Sequence, residues 1–139
     1  MADLALGPVS VAVYRVLRDA TLQTLTPGGW HEDAPQAPTY PYGWFEVRER
    51  ETRGFGGGGL PEVELRTHVK SEFAGMSEAQ AINARVVTLL KDAALTVTGY
   101  THCGHVFYDE TIRQPDEEVG GKKVKELVSL FRIYVEEAP

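Results

Sequence analysis

The sequence predicts a single α+β domain, a mainly antiparallel sheet of about four strands with two helices packed on one face, in the order helix, two strands, helix, two strands. Two stretches carry apolar residues at steps of three and four, the signature of amphipathic helices. Between them, Glu62 to Lys70 alternates cleanly, with Val63, Leu65, Thr67 and Val69 on one face and charged residues or histidine on the other. After the second helical stretch, two runs rich in β-branched and aromatic residues complete the pattern.

Pro8 suits the first turn of a helix, where its missing N–H would be unpaired anyway, and Val9, Val13, Val16, Leu17 and Ala20 follow at helical spacing. Residues 8 to 25 therefore read as the first helix, ended by Pro27-Gly28-Gly29. Next comes HEDAPQAPTYPYGWFEV, in which Pro35, Pro38 and Pro41 stand three residues apart and lead into a strand starting at Tyr42. Such spacing favours polyproline II, which serves either as a ligand for an aromatic groove or as a stiff spacer. Elements of one compact domain bracket it on both sides, so a rigid crossing formed by Pro35, Pro38, Pro41 and Tyr42 is the better reading. The strands YGWFEVRERE and PEVELRTHVK flank a glycine-rich tip and predict an antiparallel hairpin whose register the loop does not set. Glu49, Arg50, Glu51 and Arg53 read as a solvated strand edge. Ser77 and Gln80 form a capping-box pattern before Ala79, Ile82, Val86, Leu89, Leu90 and Ala93, which predicts a second helix over about 77 to 94. The last two strands, GYTHCGHVFYDETIRQ and VKELVSLFRIYVEE, are separated by PDEEVGGKK, read as a polar loop.

A chain of 139 residues is near the usual size for one domain, so one core over residues 1–139 is expected. The 42% hydrophobic content places it with ordered proteins. A net charge of -6, with no basic cluster longer than Lys122-Lys123, argues against a grip on nucleic acid. The single cysteine, Cys103, excludes an internal disulfide and fits a reducing compartment. Arg15 interrupts the apolar N-terminal run before it reaches the roughly 20 residues of a membrane span. No membrane partner is expected.

Gly54, Gly56 and Gly59 match G-x-G-x-x-G, yet a strand follows them in place of the helix whose N-terminal amides would bind pyrophosphate. A hairpin tip that orders against a partner is the better assignment. His102, Cys103 and His105 are close in sequence, but neighbouring strand residues point to opposite faces and a structural zinc wants four ligands. Cys103 with a histidine, or Asp109-Glu110, supplies reactive groups without any sign that nucleophile, base and oxyanion donor converge. Neither metal, cofactor nor catalytic activity is expected.

Several stretches together resemble a known family: VYRVLRDATLQTL leading to WHEDAPQAPTYPYGWFEV, then LRTHVKSEFAGMSEAQAINARVVTLL and the closing ELVSLFRIYV. Ala34-Pro35-Gln36 followed by Pro41-Tyr42, and the strand Leu65 to Ser71 followed shortly by a helix, are its best marks. The chain is similar to the tail completion or tail terminator family of long-tailed bacteriophages over nearly its whole length. That resemblance implies a structural virion protein, assembled in the host cytoplasm. It forms a ring, usually of six copies, at the head-proximal end of the tail tube. Its partners are then further copies of itself, the tail tube protein and a neck or head-completion protein, with DNA passing through unbound. An acidic lumen would repel that DNA. Two loops are the candidate contacts with neighbours: Gly54, Phe55, Gly56, Gly57, Gly58 and Gly59, and then Pro115, Asp116, Glu117, Glu118, Gly120 and Gly121. Two other readings remain open, a neck or head-completion connector one ring nearer the capsid, and a small adaptor using its proline stretch as a ligand.

Overall fold

A computed structural model describes residues 3–50 and 62–137. The elements in chain order are α1 (Asp3–Leu17), α2 (Ala20–Leu25), β1 (Trp30–His31), β2 (Tyr42–Arg50), β3 (Glu62–Ser71), α3 (Ser77–Leu90), β4 (Tyr100–His102), β5 (Phe107–Val119) and β6 (Lys122–Glu137). The α+β class holds, but the described residues form a six-stranded sheet in the order β1-β2-β3-β6-β4, with β5 also pairing β6. Three helices take the place of two.

The first helix breaks at Arg18-Asp19. Asp19 caps α2 by accepting the Leu22 N–H at 3.1 Å, and a carboxylate satisfying a helix N-terminus in this way competes with helix continuation. Pro8 lies inside α1, not at its first turn. β1 was not anticipated; it pairs parallel to β2 through Trp30 with Gly43 and His31 with Trp44, making the sheet mixed. The β2–β3 hairpin forms as the alternation predicts, from Tyr42 opposite Lys70 to Arg50 opposite Glu62 without a register shift.

α3 begins after Met76 with no side-chain cap, so the Ser77–Gln80 box does not form; Ser77 already lies within the helix. The helix stops at Leu90, short of residue 94. Asp92 adopts φ 61°, and the backbones of Asp92 and Ala93 bond to Val106 at 3.0 Å, so residues beyond Leu90 serve a tertiary pairing. The same contact divides the third predicted strand. β4 runs against residues 135–137 of β6 and β5 against residues 122–132, with Val106 turned into the core between them. The PDEEVGGKK stretch is not a long polar loop: Pro115 to Val119 belong to β5, and Gly120-Gly121 alone make the turn. Both glycines have positive φ, 57° and 81°, as a two-residue hairpin turn requires.

One face of the sheet carries Phe45, Val63, Leu65, Val69, Leu127, Phe131 and Ile133 into a core shared with Val9, Val13 and Leu17 of α1 and Ile82, Val86 and Leu90 of α3. Directly opposed strand residues share a face, so the row Phe45, Thr67, Ser129 and Thr111 runs beneath the helices. Ser129 and Thr111 of this row are tied to α3: Ser129 Oγ donates to Asn83 Oδ1 at 2.7 Å, Asn83 Nδ2 donates to Thr111 at 3.2 Å, and Tyr108 Oη meets Thr111 at 2.6 Å. This network fastens β5, which among the described residues has only β6 as a strand neighbour, to the helical layer.

Candidate assembly surface

The sheet's other face is a lattice of paired charges. Glu64 takes Arg48 and Arg66, His68 Nδ1 donates to Glu126 at 2.9 Å while the ring's Nε2 lies 3.6 Å from Glu46, and Arg132 holds Asp109 at 2.8 Å. Tyr134 links this set to Glu62, donating at 2.7 Å. His68 also stacks on Trp44, ring centroids 3.8 Å apart and planes 7° from parallel. Burial pushes the Glu126 carboxyl up, but the His68 bond and the nearby Lys70 charge outweigh it, and its pKa ends below the usual value. Cross-strand pairs of this kind stiffen the sheet and leave few charges free for chemistry.

The groups singled out for chemistry are likewise engaged or unactivated. His102 Nδ1 accepts the Leu95 N–H at 2.9 Å, and burial first, then His105, lowers its pKa, so it is held neutral with its proton on Nε2. His105 turns to Asp92 at 3.3 Å. Burial and the adjacent Glu136 raise the Cys103 thiol, the opposite of an activated nucleophile. Among the described residues no three His, Cys, Asp or Glu side chains gather to hold a metal. No helix among them is long and apolar enough to cross a membrane.

Exposed apolar side chains and a groove occur together at one end of the molecule. Tyr42, Lys70, Glu126 and Gln114 form a continuous row across β2, β3, β6 and β5. Past this row lie Pro41 just before β2, Phe73 after β3, and the far part of the β5–β6 hairpin, where β3 no longer accompanies β6. Phe73 is half exposed, at 50%, and Val119 at the hairpin turn is 41% exposed. A groove of about 470 Å³ opens here between Leu25, Pro27, Pro41, Phe73, Ala81 and Ile82.

The crossing packs against this end. Thr39 presses so closely on Gly28 that a side chain there would collide with its carbonyl oxygen, and Gly28 N–H bonds to the Pro41 carbonyl at 3.0 Å. Tyr40-Pro41 is a cis peptide. Burial, with Tyr40 and two carboxylates nearby, pushes the Tyr42 hydroxyl up to about 12. Pro35 and Pro38 are partly buried between exposed neighbours in the loop from β1 to β2.

Of the two candidate contact loops, Gly54 to Gly59 lie outside the described residues. Pro115 and Asp116 fall at a register shift in β5, where proline's missing N–H costs no ladder bond. Asp116 is within 3.4 Å of Arg113 and 3.8 Å of Lys125, and Glu117 within 3.8 Å of Lys70. Glu118, Gly120 and Gly121 are exposed at the tip. Phe73 was not anticipated as a surface residue. Its signal was an aromatic in SEFAGM, a stretch that fits neither strand alternation nor helix spacing.

The family model for tail completion protein gp17 matches residues 11–136. The chain belongs to the tail completion protein gp17 family. The resemblance read from the sequence is thus shown. The fold of this tail completion protein is similar to a chain in the virion of a native gene transfer agent particle, with TM-score 0.74 and 23% identity over 95% of this chain and 97% of that one. It is also similar to the gp17 protein of bacteriophage SPP1, with TM-score 0.61 and 18% identity over 96% of this chain and 92% of that one. No curated protein sequence matches it.

Proposed function

We propose that this tail completion protein is a structural adaptor: copies close into a ring, usually of six by the family resemblance, at the head-proximal end of a phage-type tail tube. The ring ends tube polymerisation and offers a surface to the neck or head-completion protein. The match of the tail completion family model over residues 11–136 carries this reading. The likeness to a chain of a gene transfer agent virion supports a place in such a particle. The end of the molecule that bears Phe73, Val119 and the groove supplies contact area, and the acidic excess keeps passing DNA from adhering.

The test is the tail-length distribution by negative-stain microscopy in particles assembled with and without the gene. Overlong, headless tails are expected without it. Tails of normal length that fail to join heads would move the protein to the neck. Unchanged, infectious particles would remove it from tail assembly altogether.

A further inference from the structure

We propose that the turn of the β5–β6 hairpin in one copy seats in the groove of the next copy, with Val119 entering between Pro27, Phe73 and Ala81 and Lys122-Lys123 facing Glu72 and Glu78. The contact rests on the ring reading above and names the surfaces that would close the ring.

Hairpin turn and groove both lie past the row Tyr42, Lys70, Glu126 and Gln114, so they share one level of the molecule. They belong to different parts of the sheet, although Glu117 of the hairpin reaches within 3.8 Å of Lys70 on β3. Pro27 and Pro41 flank β1 and the start of β2 at one edge of the sheet, β5 lies at the other beyond β3 and β6, and Val119 to Lys123 are exposed, so the turn leaves its side chains free for a neighbour's groove. Head-to-tail contacts that close a ring join unlike edges at the same level, and this arrangement meets that requirement.

Val119, 41% exposed, is an apolar side chain presented at the end of a two-stranded ribbon, and the groove with its half-exposed Phe73 is an apolar recess of about 470 Å³. Burying both removes apolar surface from water on each partner. Lys122 and Lys123 are exposed and make no ion pair with a described residue. At the groove, Glu78 accepts a hydrogen bond from Ser71 Oγ at 2.7 Å and retains acceptor capacity, and Glu72 sits beside Phe73 without a described ion-pair partner. Two free cations therefore meet two carboxylates.

The outer edge of β5 is a poorer contact than the turn. Two register shifts, Pro115 and the exposed carboxylates Glu110, Glu117 and Glu118 blunt it against strand addition. The hairpin would thus be used by its end, not its side.

The test is disulfide trapping in assembled particles, in a Cys103→Ser background, with Val119→Cys and Ala81→Cys in the same chain. Both positions are exposed, so folding is not at stake. Oxidation is expected to give a ladder of cross-linked species ending in one closed multimer, whereas either single substitution gives none. Lys122→Glu with Lys123→Glu should reduce the yield, and adding Glu72→Lys should restore part of it. Copy number per particle, measured by quantitative mass spectrometry, separates the two ways of failing. Several copies per particle without the ladder would overturn the hairpin contact and leave the ring intact. A single copy per particle would overturn the ring and the contact together.

Discussion

Asp19 sits where α1 ends and α2 begins, and its two oxygens do two tasks. Oδ2 accepts the Leu22 N–H, and both oxygens receive the Arg85 guanidinium of α3 at 2.9 Å. The Arg85 hydrogen bonds hold its carboxyl below the ordinary value of 3.8, against the opposing pull of desolvation. Because the folded-state value is depressed, this stabilisation is complete above the ordinary carboxylate range and is lost as pH falls through the folded value. Asp19→Asn is therefore expected to lower the melting temperature at pH 7 and to flatten the acid limb of a stability-against-pH curve below about pH 4. An unchanged acid limb would show that the pair does not couple to folding. Asn83 has a comparable bridging role inside the core. Asn83→Ala leaves the Ser129 and Thr111 hydroxyls with fewer partners beneath α3 and should cost about 1–3 kcal/mol in urea unfolding. Neither residue's role was legible in the sequence. A lone aspartate in a helical run and an asparagine on a helix face declare no partner when Arg85 is 66 positions from Asp19 and Ser129 is 46 from Asn83.

At the scale of elements, the hairpin turn and the core strands should fail differently. Replacing Gly120 and Gly121 with alanine forces two Cβ atoms into the left-handed region, at roughly 1 kcal/mol or more each. That part of the ribbon lies past the β3 pairing, so hydrogen exchange should quicken over residues 117–124 while the global unfolding midpoint moves little. Phe131→Ala, in the middle of β6 and fully buried, should instead cost about 3–5 kcal/mol across the whole protein. Slow exchange retained throughout the hairpin of the alanine variant would place the turn within the cooperative core. Elements with a regular apolar period were readable in advance: β3 buries Val63, Leu65, Thr67 and Val69, and α3 buries Ala79, Ile82, Val86 and Leu90. Elements that depend on a distant strand were not. β1 is two residues long, too short for any period, and β5 continues through Pro115 because β6 is there to receive a bulged partner.

For the whole molecule, one apolar cluster joins α1, α3 and the sheet strands β2, β3 and β6. A single core of this extent predicts one cooperative transition, with tryptophan fluorescence and far-UV circular dichroism giving the same midpoint. Trp30 reports from the core and Trp44 from the charged face, so separated midpoints would show that the two faces of the sheet melt independently and that the chain is not one domain.

Local patterning determined the α+β class, the β2–β3 pairing and the family, because periodicity and the proline spacing are written in contiguous residues. Tertiary structure alone decided the break at Asp19, the end of α3 at Leu90 and the interruption at Cys103 to Val106. In each of these a backbone or carboxylate partner far along the chain outweighs the local preference, and such a partner has no signature at the place where the chain yields to it. The same holds for the shared level of groove and hairpin, which exists only once β2, β3, β6 and β5 are in register.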